Sequence, residues 1–165
     1  MEFFNMIWNA ISTPNERLID IFLIINTFFI EAPITFFIIT NLFKISYTKK
    51  QKYIYILLAS IISSFGVLVL NNPINIAFNY IFNFIIIYSI FHISKLKSLI
   101  AMVIPSIIFN VLGSLLLNPY LTILNLTYED INTIPIYRIP FTLLMYLIVF
   151  LFTLILKYKN ITIKI

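Results

Sequence analysis

Polar side chains that can take part in chemistry recur within the apolar stretches of this chain, at intervals of three or four residues. Thr27 and Glu31, for example, are four residues apart, so both side chains lie on one face of a helix. A carboxyl or amide group without a partner is costly in an apolar environment, and each such face is therefore expected to point toward another helix. We interpret these groups as the wall of a polar cup that binds a ligand and is floored by Glu31. The candidate ligand-binding residues are Thr27, Glu31, Asn75, Asn79, Asn83, Asn110, Ser114 and Tyr146.

The asparagine and serine residues of this set allow two interpretations. In one, they only bond one another between helices, which stabilises a membrane bundle by about 0.6 kcal/mol for each contact. In the other, they bind a ligand. Glu31 favours the second interpretation, because a carboxylate inside a membrane is energetically costly and usually has a task or a specific partner. The sequence offers Asn75, Asn79 and Arg138 as its candidate partners.

The sequence contains none of the residue sets on which common catalytic sites depend. It has no Cys and one His, which excludes thiol nucleophiles, thiolate metal sites and multi-histidine metal centres. It also has no Ser/His/Asp set, no HExxH motif and no glycine-rich phosphate-binding loop. We therefore expect a protein that is not an enzyme and that holds no metal or cofactor.

The composition places these residues in a membrane protein. Of the 165 residues, 61% are hydrophobic and 10% are charged, whereas a soluble domain carries about 25% charged residues. The chain is long enough for about five helices of about 20–25 residues, the length that crosses a bilayer. The net charge of +5 arises from basic residues between apolar runs, so it bears on topology and does not indicate a nucleic-acid partner.

Five apolar stretches are long enough to span a membrane, and the breaks between them contain Pro, Asn or Lys. Residues 1–12 are too few to cross, and they predict a short amphipathic helix at the membrane interface, anchored by Trp8. We therefore predict an all-α membrane protein with a single transmembrane domain, residues 1–165. The predicted spans are residues 18–43, 53–70, 74–93, 98–117 and 139–156.

Two local motifs bear on the first span. Thr13 followed by Pro14 and Glu16 is typical of a capping box, so the helix is predicted to begin near Pro14. Pro33 lacks the amide hydrogen that would bond to residue 29, and it is predicted to kink the helix just after Glu31.

The basic residues are distributed unequally between the two sides of the predicted spans. Nine of the eleven fall on one side, and only Arg17 and Arg138 fall on the other. Because basic residues accumulate on the cytoplasmic side of a membrane, this asymmetry predicts a multi-pass protein of the plasma membrane with its N-terminus outside and its C-terminus in the cytoplasm. The nine residues are Lys44, Lys49, Lys50, Lys52, Lys95, Lys97, Lys157, Lys159 and Lys164.

A series of short motifs extends over essentially all 165 residues. They are Trp8-Asn9, Ile11-Ser12-Thr13-Pro14-Asn15-Glu16, Phe29-Ile30-Glu31, Thr48-Lys49-Lys50-Gln51-Lys52, Asn72-Pro73, Asn79-Tyr80, Leu117-Asn118-Pro119-Tyr120 and Ile134-Pro135-Ile136-Tyr137-Arg138-Ile139. In this order they resemble the N-terminal membrane region of clostridial sensor histidine kinases. The kinases are of the accessory-gene-regulator type, which carries a GHKL ATP-binding domain.

In that family the membrane region senses an extracellular signal, commonly a peptide, and controls a cytoplasmic kinase that autophosphorylates on His. This sequence has no phospho-acceptor helix and no ATP-binding boxes, and His92 matches no phosphorylation motif. The resemblance therefore implies a quorum-sensing-like sensor module in the lipid bilayer that detects an extracellular peptide or small molecule. We expect it to pass a rearrangement of its helices to a cytoplasmic kinase partner or to a missing kinase domain, and a homodimer is a further candidate assembly.

Two other functions are consistent with the same sequence. A substrate-binding membrane subunit of a vitamin transporter would also present an outward pocket, but such subunits resemble six-helix proteins with Ala-xxx-Ala docking faces. Here five spans are predicted, and no two alanines are four residues apart. The other alternative is a structural or immunity-type membrane protein without a ligand, in which changes to the polar residues would alter only stability.

Overall fold

The computed structural model of the chain describes residues 2–70 and 72–163. Within them the chain forms eight α-helices and one π turn, which confirms the predicted all-α class. The helices are α1 (Glu2–Ser12), α2 (Glu16–Asn26), α3 (Ala32–Leu42), α4 (Lys49–Val69), α5 (Asn72–Phe91), α6 (Lys95–Leu124), α7 (Tyr128–Thr133) and α8 (Pro135–Tyr158), and the π turn Thr27–Glu31 joins α2 to α3.

Five helical segments are long and apolar enough to cross a membrane. They contain 18 to 30 residues, and a bilayer requires about 20. Large apolar side chains such as Phe29 and Ile123 are 77% and 80% exposed, as expected for side chains that face lipid. The predicted multi-pass bundle of five helices is therefore confirmed. The spans are Glu16–Leu42, Lys49–Val69, Ile74–Phe91, Lys95–Leu124 and Pro135–Tyr158.

Side-chain caps explain where the spans α4 and α6 begin. Thr48 Oγ1 accepts a hydrogen bond of 3.2 Å from the Gln51 amide, and Gln51 Oε1 accepts one of 2.8 Å from the Thr48 amide. This reciprocal capping box starts α4. Ser94 starts α6 by accepting a bond of 3.3 Å from the Lys97 amide. The same helix ends at Asn125, whose φ of 54° lies in the left-handed region that asparagine tolerates.

The capping box predicted at Thr13 is wrong. Asn15 is the N-cap of α2, because its Oδ1 accepts a hydrogen bond of 3.1 Å from the Leu18 amide. Thr13 instead closes the end of α1, since its hydroxyl donates to the Asn9 carbonyl at 2.6 Å. The Asn15 amide also donates to the Thr133 carbonyl at 2.9 Å. A contact with α7 therefore fixes the start of the first span, and local sequence does not reveal that contact.

The fourth span is longer than the sequence predicts. Asn118-Pro119 indicates an end, yet α6 continues to Leu124. A proline removes one backbone hydrogen bond, but tertiary contacts can hold a helix together across it. Here the Tyr120 hydroxyl donates to the Tyr137 carbonyl at 3.0 Å and ties the last part of α6 to α8. The fifth span also begins earlier than predicted, at Pro135, whose missing amide hydrogen suits a first turn.

The first span contains a π turn just before Pro33. The Ala32 amide donates to the Thr27 carbonyl five residues back, where a regular α-helix would use the residue four back. Pro33 has no amide hydrogen, and its ring would crowd the carbonyl of residue 29 in a regular helix. The disruption predicted at Pro33 thus takes the form of a widened turn that precedes the proline.

Different contacts close the two ends of the bundle. At one end, which we call the lysine end, the Gln51 side chain donates to the Ile90 carbonyl at 2.7 Å, and the Ile163 amide donates to the Leu42 carbonyl at 2.8 Å. At the other end, which we call the α7 end, α7 packs against α2 and α8, and Ile131 is fully buried. The lysine end carries Lys44, Lys49, Lys50, Lys52, Lys95, Lys97, Lys157 and Lys159, and Lys164 lies outside the described residues.

Helix α1 precedes the five spans and contacts the last of them, α8. Its large apolar side chains are exposed, including Phe4 at 78% and Trp8 at 58%. A helix with such a face suits the boundary between water and lipid, where the apolar side chains can enter the hydrocarbon. The interfacial position of residues 1–12, of which Met1 lies outside the described residues, stays a prediction.

Candidate functional site

A cavity of about 450 Å³ lies between the spans. Most of the candidate ligand-binding residues line it, and they reach it from four different spans. Ser114 does not, because it lies one turn beyond Asn110 toward the α7 end and is exposed there. Helical spacing alone therefore selected side chains that the fold brings together. The candidate residues at the cavity are Thr27, Glu31, Asn75, Asn79, Asn83, Asn110 and Tyr146.

The cavity also has polar lining residues that the candidate set omits. Thr35 lies four residues after Glu31, and Ser106 lies four residues before Asn110. The same helical spacing could have identified both of them. Ser63 of α4 also lines the cavity, and its spacing of three residues from the buried Ser60 could have identified it as well.

Glu31 lies at the wall of the cavity, where its carboxylate joins the first span to the last. The Tyr146 hydroxyl donates to Glu31 Oε2 at 2.7 Å, and the Thr27 hydroxyl lies 3.4 Å from the same oxygen. Tyr146 itself is 6% exposed, and its ring packs edge-on against Phe109 of α6. A hydrogen bond to a carboxylate in such a setting is among the stronger ones in proteins.

Neither asparagine predicted as a partner bonds to Glu31, and Arg138, expected to lie too close to the membrane surface, does not reach it either. Asn75 and Asn79 bond to each other along α5, and the Arg138 side chain donates to Asn132 Oδ1 at 3.3 Å. Arg138 lies in the first turns of α8, about 12 Å along the helix from Tyr146. It is therefore too near the α7 end to reach the carboxylate. The sequence shows which residues share a face of one helix. It does not show which residues of two different helices lie next to each other.

The π turn determines how Thr27 and Glu31 are presented. The Thr27 hydroxyl donates to the Leu23 carbonyl at 2.8 Å, and the Ser60 hydroxyl of α4 donates to the Thr27 carbonyl at 3.4 Å. The first bond stays within the first span, and the second ties the turn to α4. Turns of this kind are frequent at functional sites. Nothing in the described residues explains the buried Asn26 amide just before the turn, which has no hydrogen-bond partner there.

The asparagines of α5 form a ladder along one side of the cavity. Asn79 Nδ2 donates to the Asn75 carbonyl at 3.1 Å and to Asn75 Oδ1 at 2.5 Å, and Asn83 Nδ2 donates to the Asn79 carbonyl at 2.9 Å. Because a backbone carbonyl can only accept, these bonds determine which end of each amide is the nitrogen. Gly66 of α4 lies directly against the ladder, and a Cβ there would overlap Asn75 Oδ1.

The lining of the cavity changes from polar to apolar along the bundle axis. Glu31, Asn83 and Tyr146 lie near the middle of their spans. The lining residues nearer the α7 end include Ser63, Asn75, Asn79 and Asn110. Those nearer the lysine end include Ile39, Tyr55, Ile87 and Met102. Thr35 adds a hydroxyl on the lysine-end side of Glu31, so the lining there is mainly apolar, and it is mainly polar toward the α7 end.

The chemistry of this arrangement is that of a binding site. Glu31 is the one formally charged side chain among the described residues that line the cavity. Within residues 2–70 and 72–163, no three His, Cys, Asp or Glu side chains are placed to hold a metal ion. A single carboxylate, several amides and hydroxyls, and an apolar floor can fix and orient a small molecule.

Comparisons with protein-family models, with curated proteins and with solved structures find no match for this chain.

Proposed function

We propose that the protein is a ligand-sensing module of the membrane, which converts occupancy of the cavity into a movement of α8. The observation that carries the proposal is the hydrogen bond from Tyr146 to Glu31. It joins the π turn of the first span to the middle of the last span, directly at the cavity wall. A ligand that draws the carboxylate into the cavity weakens its bond to Tyr146, and α8 is then released from one of its contacts.

Contacts of the part of α8 that follows Tyr146 connect this event to the lysine end. Val149 and Thr153 of α8 are fully buried, and α8 packs against α3 along this part. Lys157 Nζ lies 5.1 Å from the centre of the Phe37 ring of α3, within the range of a cation–π interaction. Beyond α8, the chain folds back so that the Ile163 amide bonds to the Leu42 carbonyl. A shift of α8 therefore changes how the C-terminal segment lies on α3.

The proposed receiver of this shift is a cytoplasmic kinase. The positive-inside rule puts the lysine end in the cytoplasm of a cell whose plasma membrane holds the protein, and a signal would enter from outside. The resemblance to sensor regions of histidine kinases supports a kinase domain, or a kinase partner, next to the C-terminal segment. The size of the cavity fits a small molecule, or one or two residues of a peptide, because such ligands occupy pockets of about 300–1,000 Å³.

A chimera tests the proposal. The whole chain is fused after Ile165 to the phospho-acceptor and ATP-binding parts of a histidine kinase, and autophosphorylation is measured in membrane vesicles. We expect Glu31→Gln and Tyr146→Phe to change the basal rate by at least about threefold in the same direction. Tyr137→Phe is the matched control on the same helix. It removes a hydroxyl that makes no hydrogen bond to any described residue.

Unchanged rates in both variants, with normal amounts of folded protein, would contradict a sensing role. If the variants change only the amount of folded protein, the polar residues act in stability alone. That result would support the interpretation as a structural membrane protein without a ligand.

A further inference from the structure

The negative charge of Glu31 is not balanced by any described side chain of the cavity. Glu31 is the one formally charged group in the described wall, and no Lys, Arg or His side chain of the described residues lies among the lining residues. Its Oε2 atom is bonded to Tyr146, whereas Oε1 accepts no hydrogen bond from the described protein. A carboxylate inside a membrane is usually paired, and here the cavity itself is the place from which a cation can reach it.

The amides around the cavity leave acceptors available as well. Asn79 Nδ2 uses both of its N–H groups within α5, and Asn83 Nδ2 uses one of its two. The Asn83 oxygen accepts no hydrogen bond from the described residues and is not enclosed by them. A group that carries a positive charge and several N–H donors can bond to the carboxylate of Glu31 and to such an oxygen at the same time.

Aromatic rings surround the same space. Tyr55, Tyr80, Phe109 and Tyr146 all line the cavity, and the faces of aromatic rings attract organic cations. The lysine-end half of the cavity is mainly apolar, with Ile39 and Ile87 each 1% exposed at its floor. The ligand therefore needs an apolar body as well as a charged head.

We infer that the ligand is a small amphipathic amine, bound as a primary ammonium ion on Glu31 with its apolar body directed toward Ile87 and Met102. The inference rests on the proposed function, because it names the class of signal that the cavity would sense. The ammonium donates to Glu31 and to amide oxygens of the cavity. It also draws the carboxylate away from Tyr146, which is the step that releases α8.

Binding is tested with the purified full chain in nanodiscs of phosphatidylcholine and phosphatidylglycerol. The probes are n-butylammonium, n-octylammonium and 3-phenylpropylammonium, each paired with its neutral alcohol, and the thermal unfolding midpoint is measured. A ligand that binds only the folded state raises this midpoint. We expect at least one ammonium ion to raise it and to bind about tenfold or more tightly than its alcohol.

Glu31→Gln is expected to weaken binding of the ammonium ion about tenfold or more and to leave binding of the alcohol unchanged, because the substitution removes the charge. Glu129→Gln is the matched control, since it makes the same substitution on exposed α7 and should keep the response. A second nanodisc containing phosphatidylethanolamine separates two sources of the ammonium group. A shift produced by that lipid alone, and lost in Glu31→Gln, would assign the site to a lipid headgroup and overturn a free amine.

Three further results overturn the inference: no ammonium ion binds, an alcohol binds as tightly as its ammonium counterpart, or Glu31→Gln leaves ammonium binding unchanged. The proposed function can fail separately. If ammonium ions bind through Glu31 but leave the phosphorylation of the chimera unchanged, the site stands and the sensing role does not. If none binds while Glu31→Gln and Tyr146→Phe still change phosphorylation, the sensing role stands with a ligand of another class.

Discussion

The Tyr146 hydroxyl lies 2.7 Å from Glu31 Oε2, although 115 positions separate the two residues in the sequence. This bond joins the first span directly to the last at the wall of the cavity. Its place explains why a binding event there can affect the C-terminal segment, which follows directly after α8.

The bond between these two side chains should be measurable as a coupling energy. We expect Tyr146→Phe to lower the free energy of unfolding by about 1–3 kcal/mol, because it removes a buried hydrogen bond to a carboxylate. In Glu31→Ala the same Tyr146→Phe change should cost about 1 kcal/mol less, since the acceptor is already missing. Titration of the detergent-solubilised protein with SDS provides these energies. Strictly additive effects would show that the two groups do not interact.

Gly66 is expected to be essential for the packing of α4 on α5. A Cβ at residue 66 would overlap Asn75 Oδ1 and lie 2.8 Å from Asn79 Nδ2, so Gly66→Ala should destabilise the protein by about 1–3 kcal/mol. Gly113→Ala is the control, because its Cβ would meet only the flexible Met145 sulfur at 3.2 Å. Denaturation of both variants tests this difference. Equal stabilities would mean that the two helices separate at no cost.

Combining Gly66→Ala with Asn75→Ala sharpens that test. Asn75→Ala removes the oxygen that the new Cβ would overlap. We therefore expect Gly66→Ala to be less destabilising in the Asn75→Ala background than in the wild-type chain, as neighbouring sites that share a contact are not additive. A cost that is the same in both backgrounds would assign the effect to the helix backbone.

The cap of α7 should titrate in acid. Asp130 accepts hydrogen bonds from the Thr127 hydroxyl at 2.7 Å and from its amide at 2.8 Å, and these bonds hold the pKa of Asp130 below its usual value of 3.8. Because the pKa is lower in the folded state, the stabilisation is complete above 3.8 and is lost as the pH falls through the lowered pKa. The NMR shift of the Thr127 amide should therefore change with a midpoint below 3.8.

Two substitutions identify the group responsible for that acid transition. Asp130→Asn should abolish the change at Thr127, because the amide does not titrate, whereas Glu129→Gln should leave its midpoint where it is. A midpoint at or above 3.8 would rule out the stabilised carboxylate.

The direction of the protein in the membrane can be read by labelling, because the chain has no cysteine of its own. Lys50→Cys places a thiol at the lysine end, and Glu129→Cys places one on α7 at the other end. With a maleimide that does not cross membranes, intact cells should label Glu129→Cys and should label Lys50→Cys only after lysis. The opposite pattern would reverse the orientation predicted from the lysines.

The sequence predicts features that repeat along a single helix. Apolar length is sufficient for the five spans, and the spacing of Asn75, Asn79 and Asn83 is sufficient to place them on one face. In both cases the information is local, since each residue is compared with neighbours three or four positions away. The position of Glu31 in the middle of a span is equally local, because it follows from counting residues.

Features that depend on contacts between distant segments could not be predicted in this way. Asn15 replaces Thr13 as a cap because α7 bonds to its amide, and α6 passes Pro119 because Tyr120 bonds to α8. The pairing of Glu31 with Tyr146 depends on how far the first and last spans are shifted along each other. The π turn in the first span also changes where Glu31 lies.

The most direct test of the central claim measures the position of the C-terminal segment when only the bond at the cavity is broken. Nitroxide labels on Lys50→Cys and Lys159→Cys, both at the lysine end, report the distance between α4 and the end of α8 by pulsed electron paramagnetic resonance. We predict that Tyr146→Phe shifts this distance distribution and that the matched Tyr137→Phe does not. Identical distributions in the wild-type chain and in Tyr146→Phe would contradict the account, because the cavity would then be unable to move the segment that carries the signal.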